Sequence, residues 1–275
     1  MALNQATRGV ARILGLAAVT AAALCSVQVS ANTISYTTTH AYGNGSTIKG
    51  ETMQFGSQAK NYSTGALWAT ESSVANSFWV YCLDPLVSAS TPVTDTPTGL
   101  NAFLNSTAYF GAAAYSATDL GGYAKQTGSV ALANLVELYS HAYLDSLTNN
   151  TKSAAFQYAV WEILGESSTG FGTTAGALKT VGNTDTAFTS QANAYLTALT
   201  GANEATAWGN IGLATATNFT YTVYKPTVGT SQAFLGVVQS ATTNTNGVPE
   251  PGTLALAGMA ALGFVAARQR KNKAS

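Results

Sequence analysis

The chain has 275 residues, 46% of them apolar and 9% charged, ample for a hydrophobic core in one large domain or two small ones. Its formal charge of zero hides an asymmetry. Arg8 and Arg12 lie near the start, Arg268, Arg270, Lys271 and Lys273 near the end, and the body between keeps six lysines against eleven acids. A body with five net negative charges and no arginine excludes nucleic-acid binding, which needs clustered positive charge.

Residues 1–31 combine the basic start with an apolar run at 13–24 and a Val29-Ser30-Ala31 exit of the small-x-small kind. This is the pattern of a secretory signal peptide cut before Asn32, so export by the Sec route is expected. Leu24 is too large for the position preceding a lipidated cysteine, which argues against Cys25 as a lipoprotein site.

The body begins strand-like. Residues 33–39 and 47–49 are rich in β-branched side chains, and Gly43-Asn44-Gly45 between them predicts a hairpin turn. Residues 77–84 predict a strong strand stopped by Pro85. Alternation puts Phe78, Val80 and Cys82 on one face and Trp79, Tyr81 and Leu83 on the other. Residues 87–98, rich in Ser, Thr and Pro, read as a loop. Helices are predicted at 100–116, 129–147 and 153–164, the last capped by Thr151, and, after a flexible 170–182, at 186–199. Strands return at 219–224 and 233–238. This order predicts one α+β domain over 32–243, its N- and C-terminal strands sharing a sheet or barrel around a central helical subdomain.

Residues 244–247 link the body to the end of the chain. There Pro249-Glu250-Pro251 precedes an apolar run at 253–267 and then Arg268-Gln269-Arg270-Lys271. The run is shorter than the roughly 20 residues of an ordinary spanning helix. The basic cluster would hold its far end on the cytoplasmic side. This order over 248–275 resembles the PEP-CTERM sorting signal of Gram-negative bacteria. The resemblance implies membrane contact through a C-terminal transmembrane helix, recognition by an exosortase, and cleavage near Pro249, Glu250 and Pro251. It points to the cell surface, outer membrane or extracellular matrix, and names a destination without an activity.

No parts for conventional catalysis come together in the sequence. His40 and His141 are far apart and in ordinary surroundings. HExxH, Cys/His metal spacings, a phosphate loop and Gly-x-Ser-x-Gly are all missing, so no enzyme activity, metal or cofactor is expected. Glu162 and Glu166 stand one turn apart and could serve acid–base work, but a solvated helix face accounts for them better, with Glu162 pointing to water.

Two residues stand out. In the 153–164 helix, Phe156, Val160, Ile163 and Leu164 share an apolar face with Trp161 at its edge, and Gln157 falls inside that arc. A buried carboxamide must find hydrogen-bond partners or be chemically changed. Cys82 is the one cysteine left once the leader is removed. By itself it reads as an inert core thiol, a reactive thiol or half of an intermolecular disulfide. A thiol and a glutamine carboxamide brought together can condense with loss of ammonia to an internal thioester. That is an activated acyl group, open to a lysine amine or a hydroxyl. An apolar wall from Trp161 and Tyr81 would keep water away.

Tyr81-Cys82-Leu83-Asp84 and Phe156-Gln157-Tyr158-Ala159-Val160-Trp161 resemble the two signature motifs of the thioester domains of bacterial surface proteins. Those motifs are an aromatic-Cys-apolar-Asp/Asn strand and a Thr-Gln-x-Ala-Ile-Trp helix. The departures are Phe156 for Thr and Val160 for Ile. The resemblance implies a Cys82–Gln157 bond supported by Tyr81, Asp84 and Trp161. It also implies covalent attachment, as in adhesion, to a surface-protein amine or a polysaccharide hydroxyl. The alternative is a non-covalent structural component of an exopolysaccharide or biofilm matrix, with Gln157 bonded to backbone and Cys82 a free thiol.

Overall fold

The computed structural model describes residues 32–38, 48–74, 76–106, 121–182, 185–227 and 231–240. The leader, His40, the Gly43-Asn44-Gly45 turn, residues 107–116 of the first predicted helix and the whole 248–275 signal lie outside them. In chain order the elements are β1 (Asn32–Thr37), β2 (Lys49–Phe55), β3 (Gln58–Thr64), β4 (Leu67–Glu71), β5 (Phe78–Cys82), β6 (Val93–Gly99) and α1 (Leu100–Leu104). Then come α2 (Gly128–Ser146), α3 (Asn150–Gly165), β7 (Leu178–Thr180), α4 (Thr186–Leu199), α5 (Glu204–Gly209), β8 (Phe219–Pro226) and β9 (Phe234–Gln239).

The strands β1-β4-β5-β9-β8-β6 close into a barrel in that order, and β3-β2-β7 form a second, three-stranded sheet. The architecture is therefore α+β, with the first and last strands in one barrel and the helices between them in sequence. Register identifies the barrel lining, because residues directly opposite one another in antiparallel strands share a face. The pairs Ile34↔Glu71, Tyr36↔Ala69, Leu67↔Val80, Val80↔Gly236, Cys82↔Phe234 and Tyr224↔Phe234 put these side chains inside. Tyr81, Leu235 and Val223 share the opposite face. There Tyr81 packs against Tyr139 and Tyr143 of α2 and Phe156 of α3.

Several sequence expectations are corrected. β1 does not pair with β2: it lies between β4 and β6, while β2 pairs with β3 and β7 in the other sheet, so no β1–β2 hairpin forms. Residues 87–98 contain a strand, β6, despite their Ser/Thr/Pro composition. Pro97 is tolerated there because β1 pairs with β6 only as far as Asp95, leaving Pro97 with the single neighbour β8. The cap of α3 is Asn149, whose side chain accepts from Lys152 N, rather than Thr151. Part of the 170–182 stretch forms β7, which pairs with β2.

The helix carrying Gln157 is not amphipathic in its setting. Every residue from Ser153 to Gly165 is buried, with α2 and α4 packed beside α3 and β5, β2 and β3 against it. Glu162, expected to face water, is fully buried. The stretch from 170 to 178 folds back over that side, where the Tyr158 hydroxyl meets Leu178 O at 3.0 Å and Glu166 Oε1 accepts from Leu178 N. Because the helix is wrapped on all sides, the Glu162 carboxyl is buried with it, beside the Tyr158 hydroxyl, and burial favours its neutral, protonated form.

Candidate functional site

Cys82 is the last residue of β5, and its surroundings follow from where its neighbours stop. β4 pairs with β5 through Leu67↔Val80, and continuing that register would put Gly65 opposite Cys82. Instead the chain crosses at Gly65 from β3, in the other sheet, into β4. Gly65 has φ +126°, a conformation open to glycine. Ala66 N turns to Ser153 Oγ on α3 at 2.9 Å. Leu83 N bonds to Ala233 O on the β9 side, so by strand alternation the Cys82 N–H and C=O face the side that β4 has vacated.

Gln157 fills that gap. Cys82 N donates to Gln157 Oε1 at 2.8 Å, and Gln157 Nε2 donates to Cys82 O at 2.7 Å. The carboxamide thus imitates the peptide unit of a missing strand partner. Trp161, one helical turn on, donates its indole N–H to the same Cys82 carbonyl at 3.1 Å. Gln157 is 1% exposed and Cys82 7% exposed, so the amide has exchanged water for these bonds. The fold brings the two residues together across 75 positions of sequence.

The other motif residues divide. Asp84 is buried and accepts from Leu86 N at 2.8 Å, fixing the turn that ends β5, while its own N–H donates to Gln232 Oε1 at 3.3 Å. Tyr81 lies on the opposite strand face from Cys82, its hydroxyl on Ser146 Oγ at 2.7 Å and near Ser153 Oγ at 3.1 Å. It therefore belongs to the aromatic core under the helices, with Phe156 at a ring separation of 4.6 Å. Phe156, standing where the resembled motif has Thr, fills this core and is fully buried. Ser153 was missed from sequence, although a Ser four residues before Gln157 shares its helix face and could have drawn notice. Gln232, in the link to β9, offered no such signal.

A cleft of about 470 Å³ opens onto Cys82, with Tyr36, Tyr62, Trp161, Lys60 and Gln232 among its walls. Burial pushes the Cys82 thiol well up from its ordinary range, and the Asp84 carboxylate adds to this. Tyr36, across the barrel lining, is pushed up to about 12, chiefly by burial. The sulfur is thus held as a thiol rather than a solvated thiolate. It can react by passing its proton on, but not as a preformed anion.

His141 lies elsewhere and is held structurally. Its Nδ1 is 2.7 Å from Leu213 O, its Nε2 is 2.9 Å from Glu204 Oε1, and its ring stacks on Trp208. Among the described residues no group of three His, Cys, Asp or Glu side chains could hold a metal ion. Among the same residues no helix is long and apolar enough to cross a membrane. The apolar run at 253–267 is outside them.

A family model for the PEP-CTERM protein-sorting motif matches residues 247–271. The motif implies export, processing by an exosortase, and sorting to the cell envelope or surface. Among solved structures, the chain is similar to the N-terminal thioester domain of fibronectin-binding protein SfbI from Streptococcus pyogenes. The two are 10% identical with a TM-score of 0.38, over 67% of this chain and 91% of that one. No curated protein matches the chain.

Proposed function

We propose that this exported chain is a cell-surface or extracellular-matrix protein in which Cys82 and Gln157 condense to an internal thioester for covalent attachment to a partner. The observation that carries this reading is the two-ended grip of the Cys82 backbone on the Gln157 carboxamide, beside a cleft that reaches Cys82. In the first step the Cys82 sulfur bonds to Gln157 Cδ and the C–N bond breaks. The thiol proton leaves on the nitrogen as ammonia. The Cys82 N–H, already 2.8 Å from Oε1, stabilises the negative charge that gathers there, the logic of an oxyanion hole. In the second step a nucleophile bonds to Cδ, the C–S bond breaks, and the nucleophile's proton goes to sulfur. Each chain acts once, so the protein is a stoichiometric cross-linker and not an enzyme.

The test is the intact mass of the mature body, purified without amines or reducing agent. The expected value is one ammonia below that calculated, raised by methylamine to the amide adduct, with no adduct in Cys82→Ala or Gln157→Ala. A full calculated mass with a titratable thiol, and no hydrolysis of the Gln157 carboxamide to the free acid, would sink the reading. A non-covalent matrix component would then stand in its place, with Gln157 a plain amide bonded to the Cys82 backbone at both ends.

A further inference from the structure

The barrel lining carries two acids that the site at Cys82 does not use. Glu71 of β4 stands opposite Ile34 and Asp95 of β6 opposite Asn32, so both share the inner face. Glu71 is 3% exposed and accepts from the Ser72 and Ser73 hydroxyls. Asp95 is 0% exposed, and neither of its carboxylate oxygens has a hydrogen-bond partner on another residue. Burial and the Glu71 carboxylate push Asp95 up to about 6, which leaves it largely ionised at neutral pH. Tyr224 of β8, the other titratable group there, is raised by burial and by both acids. Lys225 follows it but is exposed, opposite Thr96 on the outer face. Among the described residues no salt bridge is made by Glu71 or Asp95.

A cation for this pair has a source in the chain itself. Thr33 turns its N–H to Ser72 Oγ at 3.0 Å and its C=O to Ser72 N at 3.0 Å, both on the β4 side. By strand alternation Asn32 presents its own nitrogen to β6, where it stands directly opposite Asp95. Its side chain reaches Ser73 Oγ at 3.2 Å, the same hydroxyl that donates to Glu71. Asn32 is also the residue before which the leader pattern places the cut. We propose that Glu71 and Asp95 form a binding site for an ammonium ion, and that its occupant is the α-amino group that leader removal creates on Asn32. Hydrolysis breaks the bond between residues 31 and 32. The hydroxyl of water goes to the Ala31 carbonyl carbon and its hydrogen to the Asn32 nitrogen, which takes up a further proton below roughly 8. The uncut chain holds a neutral amide at that place, so the buried acids lack this counter-charge until the leader goes. Maturation thus adds an ion pair to the barrel, independently of any thioester at Cys82.

The experiment compares two forms of the mature chain at neutral pH, one with the Asn32 amine free and one acetylated at that amine alone, as peptide mass verifies. Acetylation should lower the thermal midpoint of the parent by several degrees, and that of Asp95→Asn less than half as much. Glu71→Gln supplies the same comparison if Asp95→Asn does not fold. The pH dependence of the acetylation rate reads the amine itself. In the folded parent it should hold its proton about tenfold more tightly than an unpaired α-amine, and in Asp95→Asn it should lose most of that gain. The stabilisation is present below roughly 8 and fades as pH rises through the raised value of the amine. Equal losses in parent and variants, or an amine in the folded parent that titrates like an unpaired one, overturn the assignment. So does a mature chain that begins at a residue other than Asn32. A parent midpoint that calcium chloride raises and EDTA restores, with no such response in Asp95→Asn, gives the site to a metal ion and overturns it as well.

Discussion

Glu162 is buried within α3 and its carboxyl is pushed up from 4.5 to about 10, chiefly by burial and then by Glu166 one turn on. It is therefore protonated in the folded protein at neutral pH and ionised in the unfolded chain. Unfolding releases its proton, so its contribution makes stability fall as pH rises from about 4.5 towards 10. Glu162→Gln keeps the shape without the proton. Urea midpoints measured at pH values across that window should fall less steeply in the variant than in the parent. Some slope persists from Glu166, also raised by burial, and below about 6 from Asp95 in the barrel. Trp161 carries a different expectation. Condensation would remove the Gln157 N–H that bonds Cys82 O, leaving the Trp161 indole as that carbonyl's remaining donor. Trp161→Phe should then destabilise the thioester form by about 1–3 kcal/mol, read as a lower thermal midpoint of ammonia-depleted protein. Gln157 was legible in the sequence because a polar side chain interrupts an apolar arc. Glu162 was not, because its burial comes from a loop that returns from beyond the end of the helix.

At the scale of elements, the fixing of α3 rests on its C-terminal end. Tyr123 lays its ring over Gly165 and donates its hydroxyl to Trp161 O at 2.7 Å, while Ala124 N and Gln126 N bond to Gly165 O and Leu164 O. A methyl group at 165 would overlap the Tyr123 ring. Gly165→Ala should therefore lower stability by about 1–3 kcal/mol, measured by denaturant unfolding, as overpacking does. Elements decided by local pattern were legible: α4 spans the predicted 186–199, and α2 and α3 differ from expectation only at their ends. β6 was not, because what makes a Pro-containing segment a strand is a neighbour, β8, more than a hundred residues later. The same reason defeated the predicted β1–β2 hairpin, since sheet membership is settled by partners that local composition does not name.

For the whole molecule, closure depends on β9, which completes the barrel between β5 and β8 and pairs directly with the strand of Cys82. Mature chains ended at residue 231 should lose both cooperative unfolding and the methylamine adduct, and chains ended at 246 should keep both. Circular dichroism melts and intact mass would read the two properties. The sharing of one barrel by terminal strands was legible from the order strand, helix, strand. The second sheet was not, because β3 and β7 are built from polar or very short segments.

Closure also sets the route along which tension would cross an anchored copy. β9 ends at Gln239 and the sorting motif begins at 247, so a pull from the sorted end meets β9 first. On the proposed function the cargo hangs from Gln157, and its capture cuts the covalent strap between α3 and the barrel. While the fold holds, the shortest path from α3 to the barrel then runs through packing and hydrogen bonds. Cys82 lies midway on that route, held by Gln157 and Trp161 from the helix and by β9 from the opposite edge. The junction at which the link is forged is thus also the clamp that bears its load.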